Sequence, residues 1–197
     1  MACSISAPLG GRVLLKLIGL VGKIKTGKTT VASVLSREFE YDILSFGEKL
    51  KEISSKLWDI PIENFYDQNL KTVIDPRWGK SPRWFLQHFG TEVVRRLHPM
   101  TWIYHVEREV QKRVETPGYG GLKICVEDVR FLNEAQFIKR YGGSLWRVKR
   151  DIDISEYYFN HASESEQDLI EADTTIINDG SIPELEAKVR ALMHGEN

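Results

Sequence analysis

Along the chain, short apolar runs alternate with longer stretches whose apolar positions recur every three to four residues. An apolar run of strand length covers 13–20, a glycine-containing turn covers 22–29, and a helical pattern follows over 29–39. A short second strand is predicted at 41–46 and an amphipathic helix at 47–58. The pattern loosens over 59–80, where Pro61, Asn64, Asp67, Asn69, Pro76 and Gly79 predict loops or a small lobe. Ser81 as N-cap and Pro82 at the first position open a helix running to about residue 97. A helix over 101–114 and a turn-rich stretch over 116–121 follow. A strand at 122–127 ends in acids, and the helix at 131–141 is stopped by Gly142-Gly143. A strand at 144–149, a polar irregular stretch over 151–168, a strand at 174–177, the turn Asn178-Asp179-Gly180 and a helix at 182–193 complete the pattern. Such alternation predicts an α/β fold with a largely parallel sheet.

Composition narrows the classes. The chain has 197 residues, 42% hydrophobic and 28% charged, which is ordinary globular usage. Lys and Arg number 27 against 28 Asp and Glu, a net charge of -1. That balance gives no global electrostatic case for nucleic-acid or membrane binding. The longest apolar run, 13–22, is broken by Lys16 and is too short to span a bilayer. Residues 1–11 lack a positive n-region and a long apolar core, so they read as a flexible lead-in and not a signal peptide. The two cysteines, Cys3 and Cys125, are placed too differently to pair, which points to a reducing, cytoplasmic setting without disulfide or zinc. The expected layout is a lead-in over 1–12 and one domain over 13–197. Within it, about 59–115 form a helical acceptor-binding region and about 150–168 a lid.

The first chemistry-bearing motif is Gly22-Lys23-Ile24-Lys25-Thr26-Gly27-Lys28-Thr29, which fits Gly-x4-Gly-Lys-Thr. Its glycines permit a tight turn whose backbone N–H groups converge on one point at a helix N-terminus, a site for phosphate oxygens. Lys28 is expected to reach the β- and γ-phosphates of ATP, with Thr29, or Thr30 beside it, ligating Mg²⁺. The motif follows an apolar strand and opens a helix, the context that separates a phosphate-binding loop from a chance glycine turn. No guanine-reading Asn-Lys-x-Asp is present, and a chain of this length fits a small-molecule phosphotransferase.

Three further constellations agree. Glu127 and Asp128 end a predicted buried strand, where an open α/β sheet binds ligands, so either acid can serve Mg²⁺ or its waters while Arg130 clamps a phosphate. Arg83, Gln87 and Thr91 recur at i, i+4 and i+8 as one polar stripe. Gly90 beside that stripe either lets a planar ligand approach the backbone or serves only packing. Arg147, Lys149 and Arg150 supply cations ahead of the lid-like stretch carrying His161 and Glu164, and Lys51 is a candidate for the acceptor phosphate.

Taken in order, the segments resemble the bacteriophage deoxynucleoside monophosphate kinase family. The resemblance rests on the phosphate loop, on Phe46-Gly47-Glu48-Lys49-Leu50-Lys51, and on Arg83 to Glu92 with its Leu-Gln-x-Phe-Gly-Thr-Glu core. It continues through Met100-Thr101-Trp102, Asp128-Val129-Arg130 with Asn133-Glu134, His161-Ala162-Ser163-Glu164 and Asn178-Asp179-Gly180-Ser181. It implies a three-layer P-loop NTPase fold of the nucleoside monophosphate kinase type, ATP as donor, Mg²⁺, and a deoxynucleotide acceptor for viral DNA precursor synthesis in a host cytoplasm. It implies ATP contacts from Gly22, Lys23, Lys25, Thr26, Gly27, Lys28, Thr29 and Thr30. Acceptor contacts are expected from Lys51, Arg83, Gln87, Gly90, Thr91, Trp102, Arg130, Glu134, His161 and Glu164. Catalysis is assigned to Lys28, Asp128, Arg130 and Arg150, and the metal to Thr29 and Asp128. Small nucleotides are the expected partners, without nucleic acid or membrane, and a homodimer is compatible with the family. Two other readings stand beside it: a phosphomevalonate kinase-like phosphotransferase, and a P-loop module that binds nucleotide without catalysis.

Overall fold

The computed structural model describes residues 3–6, 12–115, 121–151 and 166–195. The chain divides into two compact units: Met1–Ser45 with Arg108–Asn197, and Phe46–Glu107.

The first unit is built on a sheet with strand order β3-β4-β2-β5-β6. Its strands are β2 (Arg12–Val21), β3 (Asp42–Leu44), β4 (Gly121–Val129), β5 (Ser144–Lys149) and β6 (Thr174–Ile177), each parallel to its neighbours on this path. Parallel central strands must be covered on both faces, which explains their near-continuous apolar runs. Leu20, Trp146, Val148 and Ile176 of the sheet pack with Val31, Val34 and Leu35 of α1 (Lys28–Phe39) and with Leu185 and Val189 of the last helix, α6 (Ile182–Gly195).

The start of the chain departs from the expected lead-in. Cys3–Ser6 form a strand, β1, antiparallel to Arg12–Leu15 of β2. The cause lies in strand length. β5 pairs with β2 only over Ile18–Val21, so the first half of that edge of β2 is open, and an open edge attracts a partner strand.

Two other elements differ from the sequence pattern. β4 runs two residues beyond the predicted end at 127, to Val129. The helix expected over 81–97 begins as α3 (Pro82–Gln87), widens to a π-helix over His88–Arg95 and is α-helical again at 96–97. Ser81 does cap it, its Oγ accepting from the Trp84 N–H at 3.3 Å.

The second unit holds α2 (Glu48–Trp58), two 3₁₀ turns at Ile62–Phe65 and Leu70–Thr72, α3, the π-helix and the start of α4 (Thr101–Glu115). Its small core joins Ile60, Phe65 and Phe85, with Trp58 stacked on Phe85 at 4.1 Å. The glycine- and proline-punctuated stretch is tied to the end of α2. Arg77 donates to the Asp59 carbonyl at 2.8 Å, and the Trp78 indole N–H donates to the Trp58 carbonyl at 2.9 Å. These bonds satisfy carbonyls that a helix C-terminus leaves open.

α1 and α6 are joined on their outer faces by charge. Arg190 holds both oxygens of Glu38 at 2.6 and 2.9 Å, and Arg37 bonds Glu38 and Glu186. The Arg190 and then the Arg37 hydrogen bonds depress the Glu38 carboxyl from its ordinary 4.5 to about 2. A depressed acid contributes stability above its ordinary value and loses it as pH falls through the folded one. Glu38→Gln is therefore expected to melt below the unmutated protein at pH 7, with the gap closing between pH 4.5 and 2, in thermal unfolding followed by circular dichroism.

Candidate functional site

The phosphate loop leaves the carboxyl end of β2, between β4 and β5, with Val21 in register with Val129 on one side and Arg147 on the other. β2 connects through α1 to β3 on one side, while β4 connects through α5 (Leu132–Arg140) to β5 on the other. Such a reversal of direction opens a crevice beyond the strand ends, where α/β sheets take ligands.

The loop conformation accounts for its residues. Gly22 has φ +155°, and a Cβ there would lie 2.5 Å from the Val148 carbonyl oxygen. Gly27 has φ +107°, and a Cβ there would lie 2.7 Å from Asn178 Nδ2. Lys25 also takes the left-handed region, at φ 61°. Thr26 is buried, and its hydroxyl donates to the Lys23 carbonyl at 2.9 Å. Lys28 opens α1, and its ammonium rests on the carbonyls of Gly22 at 2.5 Å and Lys23 at 2.7 Å. No acid lies in the first turn of α1 and no side chain caps it, so its amides and the positive end of its dipole favour an anion. Thr29 is exposed and Thr30 half-buried at this helix start.

Asn178 braces the loop. Its side-chain amide donates to the Thr26 carbonyl at 2.8 Å, and its backbone N–H donates to the Lys149 carbonyl at 2.7 Å. The sequence places this residue in a turn and in one of the segments that carry the family resemblance, without a role of its own.

Beside the loop lies a cavity of about 420 Å³ lined by Gly22, Lys23, Thr26, Lys149, Arg150 and Asp168. That volume lies within the usual range for a small-molecule site. Lys23 pairs with Asp168 at 3.1 Å across part of the lining. Arg150 is exposed on the same cavity. Arg147, in the basic run ahead of the expected lid, donates to the carbonyls of Gln167, at 3.0 Å, and Ile170. His161, Glu164 and most of the predicted lid lie outside the described residues.

A β-bulge falls at the acid pair that ends β4. Gly19 pairs with Val126 and Val21 with Val129, so two steps on β2 face three on β4. A bulge re-aims the side chains it carries. Asp128 accepts from the Ser45 hydroxyl at 2.7 Å, while Glu127 lines a second cavity, of about 330 Å³, with Thr29, Ala32 and Ser33. Burial, with the charges of Glu127 and Asp128 adding to it, pushes the Cys125 thiol up, which leaves it no role as a nucleophile at neutral pH. Among the described residues no group of three or more His, Cys, Asp or Glu is placed to hold a metal. Hydroxyls, one or two carboxylates and nucleotide oxygens are what Mg²⁺ commonly takes, and Thr29, Thr30, Asp128 and Glu127 fit that donor set.

Glu134 is corrected by the structure. It is buried, and its Oε2 accepts from the backbone N–H groups of Arg130 at 2.8 Å and Phe131 at 3.1 Å. The carboxylate thus caps α5 and sets the path of Arg130 instead of reaching an acceptor.

The second unit carries the other acceptor candidates. Lys51 is only 14% exposed, with Nζ 3.4 Å from Glu48 and 4.4 Å from the centre of the Tyr66 ring, and Tyr66 also donates to Glu48. Arg83, Gln87 and Thr91 are half-buried. Gly90 does not open a path for a ligand: a Cβ there would lie 2.4 Å from Leu50 Cδ2. Trp102, expected among the acceptor contacts, is bonded within the protein. It is 5% exposed, and its indole N–H donates to the Gly90 carbonyl at 3.1 Å.

The model of the deoxynucleotide monophosphate kinase family matches residues 54–189. A protein of Acanthamoeba polyphaga mimivirus named "Putative deoxynucleotide monophosphate kinase" is 32% identical over 184 residues, 88% of this chain and 93% of its own. This chain belongs to the deoxynucleotide monophosphate kinase family. Among solved structures, shikimate kinase from Bacteroides thetaiotaomicron matches with TM-score 0.52 and 13% identity, covering 91% of this chain and 96% of that one. Shikimate kinase from Aquifex aeolicus matches with TM-score 0.50 and 14% identity, covering 91% and 97%. At such identities the likeness shows the P-loop kinase fold. Membership and fold together make the protein a phosphotransferase of the P-loop kinase type, consistent with nucleotide substrates. No described helix is long and apolar enough to cross a membrane.

Removing the Asn178 amide leaves the buried Thr26 carbonyl without that donor, a loss of about 1–3 kcal/mol. Asn178→Ala is expected to weaken ATP binding about tenfold or more while the fold persists, as read by titration with a fluorescent ATP analogue and by circular dichroism.

Proposed function

We propose that this protein transfers the γ-phosphoryl group of ATP to the phosphate of a deoxynucleoside monophosphate, yielding ADP and a deoxynucleoside diphosphate. The observation that carries this reading is the phosphate loop at the head of α1, in a chain whose family is named for deoxynucleotide monophosphates. The bond from the γ-phosphorus to the bridging oxygen of ADP breaks, and a bond from that phosphorus to an acceptor phosphate oxygen forms. The acceptor oxygen is already anionic near pH 7, so no strong general base is required. The work left to the protein is alignment and charge neutralisation.

The chain supplies groups for both. The backbone amides after Gly27 and the Lys28 ammonium bind the β- and γ-phosphates, Lys28 giving up its carbonyl partners for phosphate oxygens. Thr29 and Thr30, with Asp128 and Glu127 at the strand end, would hold Mg²⁺, which when bound withdraws charge from the phosphate oxygens. Arg130, oriented through Glu134, and Arg150 on the donor cavity are the cations assigned to the transferring group. In the second unit Lys51 and Arg83 are assigned to the acceptor phosphate and Gln87 to a base edge, since a guanidinium suits phosphate and an amide suits a base.

A panel of dGMP, dTMP, dCMP, dAMP, dUMP, the ribonucleotides and phosphomevalonate, each with ATP and Mg²⁺, tests the reading by ion-exchange resolution of the products. A deoxynucleoside diphosphate is the expected product. Product from phosphomevalonate alone, or ATP binding with no product from any acceptor, overturns the reading. Lys28→Ala is expected to lower turnover by about three orders of magnitude with the fold intact, in line with the worth of cations on a transferring phosphoryl group. Arg130→Ala is expected to impair every acceptor alike, since phosphate is common to all.

A further inference from the structure

The π-helix over His88–Arg95 is unusual in length, because i→i+5 segments mostly occur as single widened turns inside α-helices. A wide turn persists where its surroundings hold it, and side chains that insert into the carbonyl ladder are one such cause. Here two contacts from two other helices converge on one residue, Gly90. From α2, Leu50 packs so close to the Gly90 backbone that a Cβ would lie 2.4 Å from its Cδ2 and 3.5 Å from its Cδ1. From α4, the Trp102 indole N–H donates to the Gly90 carbonyl at 3.1 Å, in a fully buried bond. Just beyond, the chain returns to α-type bonding, with His98 N–H donating to the Val94 carbonyl at 2.9 Å.

The meeting point lies among the residues assigned to the acceptor. Leu50 precedes Lys51 on α2, Gln87 is the last residue of α3, and Thr91 follows Gly90. In a continuous α-helix Arg83, Gln87 and Thr91 would form one stripe at 100° per residue. A π turn holds about one residue more than an α turn, so side chains along the π-helix depart progressively from that stripe, by about the angle of one residue per turn. The direction in which Thr91 points relative to Gln87, and the separation of both from Lys51, therefore depend on the wide turn at Gly90.

We infer that Trp102 and Leu50 are positioning residues which, through Gly90, hold the π-helix in the register that presents Gln87 and Thr91 to the acceptor nucleotide. Neither side chain touches the nucleotide. The inference rests on the proposed deoxynucleotide acceptor and extends it to residues that sequence reasoning placed in contact with substrate, or, for Leu50, did not single out.

The test reads acceptor binding at equilibrium, so that phosphoryl transfer is not needed. Radiolabelled dGMP, dTMP, dCMP, dAMP and dUMP, and ATP separately, are dialysed against the unmutated protein, Trp102→Phe, Gly90→Ala and the double variant Leu50→Ala/Gly90→Ala, with circular dichroism as the check on folding. Trp102→Phe keeps a ring and removes the N–H. It is expected to raise the acceptor Kd about tenfold while the ATP Kd stays within about twofold. Gly90→Ala is expected to do the same or worse, and removing the Leu50 side chain in the double variant is expected to recover acceptor affinity to within about threefold of the unmutated protein. Equal acceptor affinity in folded Trp102→Phe overturns the inference, as does a parallel loss of acceptor and ATP affinity, which would mark a general stability role. Should Gly90→Ala fail to fold, Trp102→Phe decides alone. An unmutated protein that binds ATP but none of the five deoxynucleotides overturns the proposed acceptor, and this inference with it.

Discussion

A phosphate cradle needs backbone amides that are left unbonded and aimed at one point, and this is a conformation a chain does not hold by itself. Unbonded amides contribute nothing to stability, and the turn that aims them requires left-handed backbone at Gly27 and at Lys25. Much of the first unit can be understood as what keeps this arrangement from relaxing. Val148 and Asn178 approach Gly22 and Gly27 so closely that no side chain fits. The Thr26 hydroxyl and the Asn178 amide occupy loop carbonyls that would otherwise draw the turn into another shape. The apolar packing of α1 against the sheet and α6 then fixes where the helix begins, and with it where the amides point.

What could be read in the sequence was what depends on local pattern. The order of strands and helices, the parallel sheet, the phosphate loop and the Ser81 cap each arise from neighbours within a few positions, and the structure contains them. Three features depend on long-range geometry and were not legible. Strand β1 exists because β5 leaves half of an edge open, which is a fact about the relative lengths of distant strands. The bulge in β4, at Glu127 and Asp128, shows only when its register against β2 is known. The π-helix depends on Leu50 and Trp102 meeting Gly90, residues far apart in the chain.

The same distinction explains which site residues changed role. Residues chosen because their chemistry suits phosphate, such as Lys28, lie on the loop and at the start of α1, and keep their assignment. Residues chosen because they sit in a recognised segment divide in two. Arg130 leads from β4 into α5 with its backbone held by Glu134, whereas Glu134, Trp102 and Gly90 are buried and bonded within the protein. A motif marks residues that a site requires, and a residue that shapes the backbone under a ligand is required as firmly as one that touches it. Burial separates the two classes, and burial is a property of the folded chain.

Polar side chains are seldom buried without cause, because each must replace its hydrogen bonds to water. Among the described residues the buried polar set is Thr26, Ser45, Ser54, Glu134, Gln167 and Asn178. Four of these act on segments to which the chemistry is assigned: Thr26 and Asn178 on the phosphate loop, Ser45 on Asp128, and Glu134 on the backbone at Arg130. The Trp102 indole does the equivalent for the wide turn at Gly90. Apolar packing alone can hold helices and strands, whose backbones are satisfied within themselves. Loops, bulges and π turns leave backbone groups open or crowded, and directional bonds from buried side chains are what can hold them in one shape. The cost of burying those groups falls at the places where the backbone is irregular, and these are the places to which the phosphate, metal and acceptor residues are assigned.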